Sequence, residues 1–570
     1  MTDNAADDDE RTEEQSTRPP GTGAEAVVRA LERAGVEHAF GVQGGAIMPV
    51  YDALSRSDVR HVTMAHEQGA AHAADAYGVV SGTPGVCLAT SGPGATNLVT
   101  GLAGAAADSD PVLALTGQAP SHLIGRDAFQ ETDTTAMTEP VTKENYLATD
   151  PDTVGDTVAE AFERARSGRP GPTLVDLPKD VSLSRTDREA DGSSRHGRIP
   201  EPGAVDGGDL DGEHLDAAAD ALAAADRPVV LAGGGVIAGD AWRELRAFAV
   251  EFGVPVATTT SGRGSIPEDH RLALGVAGAS GTDRENAALR ECDALLAVGT
   301  RFDDRLAGAV EPFAPDATVV HVDVDPAEID KNVRADYPLV GDAATVLERL
   351  HEAMPAQPAV AERRERCRRR SDGLPPEYPV PESGSPPPEF VVEATDALTP
   401  DDTVVTTDVD RHLPGAMRYW TCRNPRTWVA SHGLGTPGYG LPAAVGARVA
   451  AGSDRSVVCF TSVGSVVPTV RELAVAVRQR LDLTVIVFAA AGGGTLPRGR
   501  QPAPAGGPAA SPESGAPGAD ALAEAFGARG WRLETADEVE DTLREALGHA
   551  GPSVVDARVD VEGIDRSGRP

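Results

Sequence analysis

The chain alternates short, wholly apolar runs with longer stretches whose apolar residues recur at helical spacing, and it does so three times over. In the first stretch, "HAFGVQGG" predicts a strand entering a glycine turn. "GVCLATSGPGATNLVTGLAGAAA" predicts a strand, loop and helix, and "PVLALTG" and "PTLVDLP" two more strands. Runs of roughly four to eight apolar residues read as strands covered on both faces, the signature of parallel sheets flanked by helices. A second stretch repeats the pattern with "RPVVLAGGG", "VPVATTT", "ALLAVGTRF" and "ATVVHVDVD". A third does so with "TVVTTDV", "SVVCFTS", "LTVIVFA" and "PSVVDARVD". The predicted fold class is α/β: three doubly wound domains with parallel sheets.

Polar and proline-rich segments mark the boundaries. Residues 1–22 are an acidic arm expected to be disordered, and 23–185, 213–352 and 389–562 are the three domains. Residues 186–212 and 353–388 are linkers, 497–518 a Pro/Gly/Ala insert within the third domain, and 563–570 a tail.

Composition narrows the setting. A chain of 570 residues is too long for one core, and 40% hydrophobic residues suffice for several. The net charge is −37, and the lysines are Lys143, Lys179 and Lys331 alone. Such a surface suits a salt-crowded cytoplasm, where carboxylates hold water and their repulsion is screened. An ordinary acidic protein from a GC-rich gene is the alternative. The charge argues against nucleic acid or an anionic membrane as partner. Cys87, Cys292, Cys367, Cys422 and Cys459 show no CxxC pair or metal spacing and read as reduced thiols. The N-terminus lacks the basic and apolar regions of a signal peptide. No apolar run approaches ~20 residues. A cytoplasmic protein is expected.

Single motifs are weak. "AGGG" (Ala232–Gly235) after a strand is more often a tight turn than a phosphate cradle. "SGPGATN" (Ser91–Asn97) carries more, because glycines and hydroxyls entering a helix let backbone N–H groups face an anion. Many strings in order carry most. They include "HEQGAAHAADAYG", "TGQAPSHLIGRDAFQETD", "GRPGPTLVDLPKDV", "ECDALLAVGTRFDDR", "FAPDATVVHVDVDPAEIDKN" and "GLGTPGYGLPAAVGA". From about residue 24 to 560 the chain resembles the catalytic (large) subunit of acetolactate synthase, or acetohydroxyacid synthase, a thiamine-diphosphate and FAD enzyme.

The resemblance implies a pyrimidine-binding first domain, an FAD-binding middle domain and a diphosphate-binding third domain. It implies a homodimer or tetramer with the active site between chains, and a small regulatory subunit as a further partner. The reaction implied is decarboxylation of pyruvate and condensation with a second 2-oxo acid, a step of branched-chain amino acid biosynthesis. Glu67 matches the glutamate that hydrogen-bonds the aminopyrimidine. Phe129, Gln130 and Lys179 match channel positions, and Arg305 a substrate position. Arg169, Gly233, Gly234, Gly235, Thr260, Gly299, Arg301, Asp323 and Asp342 fall on FAD positions. Pro93, His412 and Gly435 fall on further cofactor positions. A family methionine and histidine near the flavin have become Ala279 and Ser280.

The third domain departs from the family. Its metal motif, "GDG" followed by an asparagine pair, reads "SVG" (Ser462–Gly464) and "AA" (Ala489, Ala490). A magnesium ion needs hard oxygen ligands at ~2.1 Å, and the side chains of Val463 and Ala490 offer none. Asp410 stands where the family has glycine, and Pro437 where a methionine props the thiamine. Thiamine diphosphate and magnesium are thus expected to bind weakly or not at all. Arg411, Arg498 and Arg500 are new cations near the lost metal. Guanidinium can pair with phosphate, although arginines in a lysine-poor chain more often solvate a loop.

Three readings remain at this point: an acetolactate-synthase-type enzyme with an altered pocket, a catalytically silent paralogue with a binding or regulatory role, and a family lyase with a changed ligand. A second genomic copy with "GDG" and "NN" intact would favour the second. The acidic surface yields a prediction of its own. The melting temperature should rise steeply from dilute to molar salt, because screening removes carboxylate repulsion. A melting temperature indifferent to salt would remove the halophile reading.

Overall fold

Three six-stranded sheets, every neighbouring pair parallel, organise the molecule. The computed structural model describes residues 21–186, 212–281, 283–308, 313–355, 378, 380, 384–490 and 517–560. The predicted arm, linkers, insert and tail lie largely outside the described residues, as do Arg498 and Arg500.

In the first domain the strands, in chain order, are His38–Gly41, Arg60–Thr63, Gly85–Ala89, Val112–Gln118, Glu144–Leu147 and Thr173–Pro178. Their spatial order is 2-1-3-4-6-5. The third domain, with strands Val404–Thr407, Trp428–Ala430, Val457–Ser462, Thr484–Ala490, Arg529–Leu533 and Ser553–Val559, has the same order. The middle domain runs Pro228–Ala232, Val256–Thr258, Ala273–Val276, Ala294–Val298, Thr318–Asp323 and Tyr337–Val340 in the order 3-2-1-4-5-6. Orders that reverse direction leave a crevice at the carboxyl ends of the strands where the reversal occurs, and ligands bind there. Each domain therefore has one address to inspect.

Central strands are buried throughout, as their unbroken apolar runs require. A two-stranded antiparallel ribbon, Gly21–Thr22 with Arg185–Thr186, closes the first domain. The first helix, Gly23–Arg33, starts at a capping box in which Thr22 and Glu25 satisfy each other's backbone N–H. No described helix is long and apolar enough to cross a membrane.

The first and third domains share one core. The helix Glu67–Ser81 lies against Gly440–Ala451, and both are rich in alanine and glycine. At the crossing a Cβ on Gly446 would sit 1.9 Å from the Ala73 carbonyl oxygen, so only glycine fits. Beside it, the third domain's Glu472 accepts the Ala65 N–H at 3.1 Å, just ahead of the helix that begins at Glu67. Glu472 is 1% exposed, and its other oxygen has no partner.

Burial pushes the Glu472 carboxyl up to about 7 from 4.5, with the Ala65 N–H and Arg471 pulling the other way. Because the folded value is the higher one, the stabilisation of the protonated form is full below pH 4.5 and lost as pH rises through about 7. Glu472→Gln, neutral and of the same shape, lacks that loss. Between pH 5 and 8 the difference in unfolding free energy should therefore move in the variant's favour by on the order of 2 kcal/mol. Denaturant titrations at several pH values measure it, and a pH-independent difference refutes it.

Candidate functional site

A cavity of about 530 Å³ opens at the middle domain's switch point, between strands Pro228–Ala232 and Ala294–Val298, with walls from all three domains. Its size lies within the ~300–1,000 Å³ typical of small-molecule sites. Of the residues matched to FAD positions, Arg169, Gly234, Gly235, Thr260, Gly299, Arg301, Asp323 and Asp342 all line it, as does Arg305. Gly233 stands directly behind them.

Glycine is required where the two strand-end loops cross. A Cβ on Gly233 would lie 2.1 Å from the Gly299 carbonyl oxygen, and one on Gly299 2.5 Å from the Gly235 Cα. Gly299 also has φ +58°, in the left-handed region. This crossing exposes main-chain groups to the cavity without side chains between. Asp342 caps the helix Ala343–Ala353, accepting the Thr345 N–H and hydroxyl at 2.9 Å. Ala279 and Ser280 line the cavity and leave room where larger residues stand in the resembled family.

Cations and carboxylates face each other across this space. Arg169 bonds Asp325 at 3.1 Å and Glu328 at 2.6 Å, joining the first and middle domains. Arg301 donates to the Ala107 carbonyl, and Asp323 is buried, which pushes its carboxyl up to about 6. Among the lining residues that the sequence reading did not single out are Asp108, Asp110, Arg263, Arg426 and His432. Arg263 makes two 2.7 Å bonds to Glu268 and one of 2.6 Å to the Trp420 carbonyl, and it lies 4.1 Å over the Trp428 ring. It rivets the middle domain to the third. His432 is pushed down to about 3 by burial and by Arg263, Arg301 and Arg305, and stays neutral.

The residues matched to the catalytic set leave the carboxyl edge of the first-domain sheet. Glu67, 9% exposed, accepts from the Asn97 amide at 3.0 Å. Pro93 opens the helix Pro93–Asp108 after Gly92, whose φ is +56° and whose missing Cβ makes room for the Gln130 backbone. Gln130 itself has φ +57°. Lys179 begins a short helix after Thr173–Pro178 and shares no described bond with Glu67. Phe129 is 88% exposed and lines nothing within this chain.

The third domain's switch point lies between Val404–Thr407 and Val457–Ser462. There the Ser462 hydroxyl donates to Asp410, whose other oxygen accepts the Arg411 N–H at 2.7 Å. Val463 follows, buried, at the start of Val463–Thr469, and Ala490 ends Thr484–Ala490. Asp408 is enclosed by the Thr461 hydroxyl at 2.6 Å and the Gly438 N–H at 2.8 Å, its carboxyl pushed up to about 6 by burial. His412 is a core residue. Its Nε2 lies 3.1 Å from the Thr407 hydroxyl and 3.2 Å from the Phe460 carbonyl, and its ring stacks on Phe488. Gly435 adopts φ +66° in the following loop, and Pro437 is exposed. An aliphatic side chain and a methyl group offer a metal no oxygen. The carboxylates described at these two strand ends are those of Asp408, bonded to Thr461, and Asp410, bonded to Ser462.

Comparison with known proteins gives a consistent result. Residues 21–137 match the thiamine pyrophosphate enzyme N-terminal TPP binding domain, 215–350 the central domain and 411–557 the C-terminal TPP binding domain. The probable acetolactate synthase large subunit of Methanocaldococcus jannaschii is 41% identical, covering 94% of this chain and 92% of that one. The acetolactate synthase large subunit of Corynebacterium glutamicum is 43% identical over 82% and 74% of the two chains. That of Parasynechococcus marenigrum is 41% identical over 94% and 87%.

Proposed function

The chain belongs to the acetolactate synthase large subunits of the thiamine pyrophosphate enzymes, and we propose that it keeps their dinucleotide cavity but is silent in thiamine-dependent turnover. The observation that carries this is the third domain's switch point, where the Asp410–Ser462 pair, Val463 and Ala490 stand where a diphosphate and its cation would be held. A carboxylate there repels a polyanion and cannot be offset by a side chain without oxygen. Glu67 alone cannot supply the reaction, because positioning of the reacting group comes from the missing anchor.

FAD is the proposed occupant of the cavity. Arg169 and Arg301 would hold its pyrophosphate, the crossed loops at Gly233–Gly235 and Gly299 would admit it closely, and Asp323 would take ribose hydroxyls. When bound it supplies a planar, redox-active ring. Smaller Ala279 and Ser280 make its hold weaker than in relatives with larger residues there. A dimer or larger assembly is proposed because Phe129, Met48, Leu434 and Val467 are exposed apolar residues on the first and third domains. A small regulatory subunit is proposed because the relatives are called large subunits. The role left to the chain is that of a binding or regulatory paralogue, in the cytoplasm of a cell rich in salt.

Protein purified in molar salt should quench added FAD fluorescence or carry flavin through purification. It should not bind thiamine diphosphate with magnesium, and should form no acetolactate from pyruvate. Val463→Asp with Ala490→Asn should recover measurable cofactor binding by calorimetry but little turnover while Asp410 and Pro437 remain. Robust acetolactate formation by the unaltered chain, free of host enzyme, would overturn the silent reading and make Arg411 the first anion anchor to test.

A further inference from the structure

The third-domain wall of the cavity carries hydrogen-bond donors that no described residue uses. Arg263 lines the cavity there and is 2% exposed. A guanidinium has five N–H donors in a fixed plane. The Nε donor goes to Glu268 at 2.7 Å, and Nη2 donates to Glu268 at 2.7 Å and to the Trp420 carbonyl at 2.6 Å. Nη1 is buried and has no partner among the described residues. Trp428, 6% exposed, lies against that guanidinium at 4.1 Å and lines the same cavity. Its Nε1 N–H is buried without a described partner as well. Buried donors are nearly always paired. Two side chains in contact, both lining one cavity, break that rule together.

We propose that this wall is a recognition subsite for the acceptor edge of a planar heterocycle, with Arg263 Nη1 and Trp428 Nε1 donating to its carbonyl oxygens. The inference rests on the dinucleotide reading of the cavity and deepens it, since the ring of the nucleotide is then selected as well as its diphosphate.

Three observations choose the ligand's chemistry. The first is charge. Glu268 already neutralises Arg263, so a carboxylate or phosphate at this wall would bury an unbalanced charge. A neutral carbonyl oxygen accepts without that cost. The second is the surroundings. Val409, Leu413 and Met417 line the cavity from the same domain and pack with Trp428 in one apolar cluster, which suits a flat apolar body. The third is that the donors are fixed before a ligand arrives. Gly262 and Gly264 flank Arg263, and a Cβ on either would lie 2.1 Å from a carbonyl oxygen, that of Ala232 or that of Asn424. Arg246 holds the Gly264 and Ser265 carbonyls at 2.7 Å each. A loop clamped on both sides by neighbouring backbone keeps the guanidinium in place, and little ordering is left for binding to supply. The isoalloxazine of FAD combines these features, with an apolar ring at one end and carbonyls at the other.

The test uses the full chain in molar salt with FAD and with ADP, which carries a diphosphate but no flavin ring. Trp428→Phe keeps an aromatic ring beside Arg263 and removes the donor. Expected is a Kd for FAD, from flavin fluorescence quenching, weakened roughly three- to tenfold. The Kd for ADP, from calorimetry, should not change. Arg263→Lys, which keeps a cation for Glu268 but loses the planar fork, should act in the same sense. Thermal melts without ligand check that each variant folds. If neither does, infrared difference spectra of FAD on the unaltered chain decide, and the flavin carbonyl bands should lie as low as in water or lower. FAD affinity equal to that of the unaltered chain in both variants, or carbonyl bands where an aprotic solvent puts them, overturns the subsite and leaves the dinucleotide reading standing. Equal weakening of FAD and ADP also overturns it, because the donors then do not read the ring. Absence of FAD and ADP binding by the unaltered chain overturns the dinucleotide reading and the subsite with it.

Discussion

The close crossing of the helices Glu67–Ser81 and Gly440–Ala451 is the constraint on which the rest of the molecule depends. Backbone meets backbone there, with Gly446 under the Ala73 carbonyl. Around it Ala71 fills the space left by Gly101, and Gly85 admits the Ala74 carbonyl. Small side chains let apolar area be buried at a short interaxial distance, and one core results from two sheets of identical winding. With those two domains fixed, the middle domain meets both, through Arg169 on one side and Arg263 on the other. The cavity is the space these contacts leave.

That dependence separates the fold from the side chains at the third domain's switch point. None of the groups holding the crossing is a polar ligand at the third domain's switch point. Val463 is itself part of the shared core, so an apolar residue there adds packing rather than removing it. Ser462 and Asp410 satisfy each other. Hydrogen bonding to serine also lessens the cost of an aspartate between two strand ends. These strand ends are closed by local contacts, with no demand on the rest of the structure.

Much of the fold was legible because strands buried on both faces leave unbroken apolar runs; "VVLA", "ALLAV" and "TVIVFAA" lie in the interiors of their sheets. Edge strands were not legible. "RHVT" and "ENYL" are half-exposed, carry polar residues accordingly, and have no apolar run to read. Strand order was hidden too, since it is set by contacts distant in sequence. In "VRELAVAVRQRL" apolar residues recur at helical spacing, and the chain makes a tight turn at Val470–Glu472 before the helix Leu473–Gln479, after a short helix Val463–Thr469 with Pro468 inside it. Proline removes a backbone donor and crowds the preceding turn, and the break places Glu472 where it meets the first domain.

The middle-domain site was legible because its residues sit at strand ends, where glycine spacing and an arginine make a recognisable string. Asp108, Asp110, Arg426 and His432 belong to no such string, and meet the cavity only because two other domains deliver them. Their arrival changes its electrostatics. A dinucleotide crevice alone would present arginine and main-chain N–H to an anion; here Arg169 is already paired with Asp325 and Glu328, and Arg301 shares the space with Asp108 and Asp110. Burial makes Asp108 and Asp110 reluctant to ionise. At the third domain's switch point Asp410 has a serine partner. Asp108 accepts the Gly433 N–H at 2.7 Å, so the third domain satisfies a first-domain acid. The two acidic switch points therefore differ in how their carboxyls are satisfied: one by a hydroxyl of its own domain, the other by a main-chain N–H carried in from another domain.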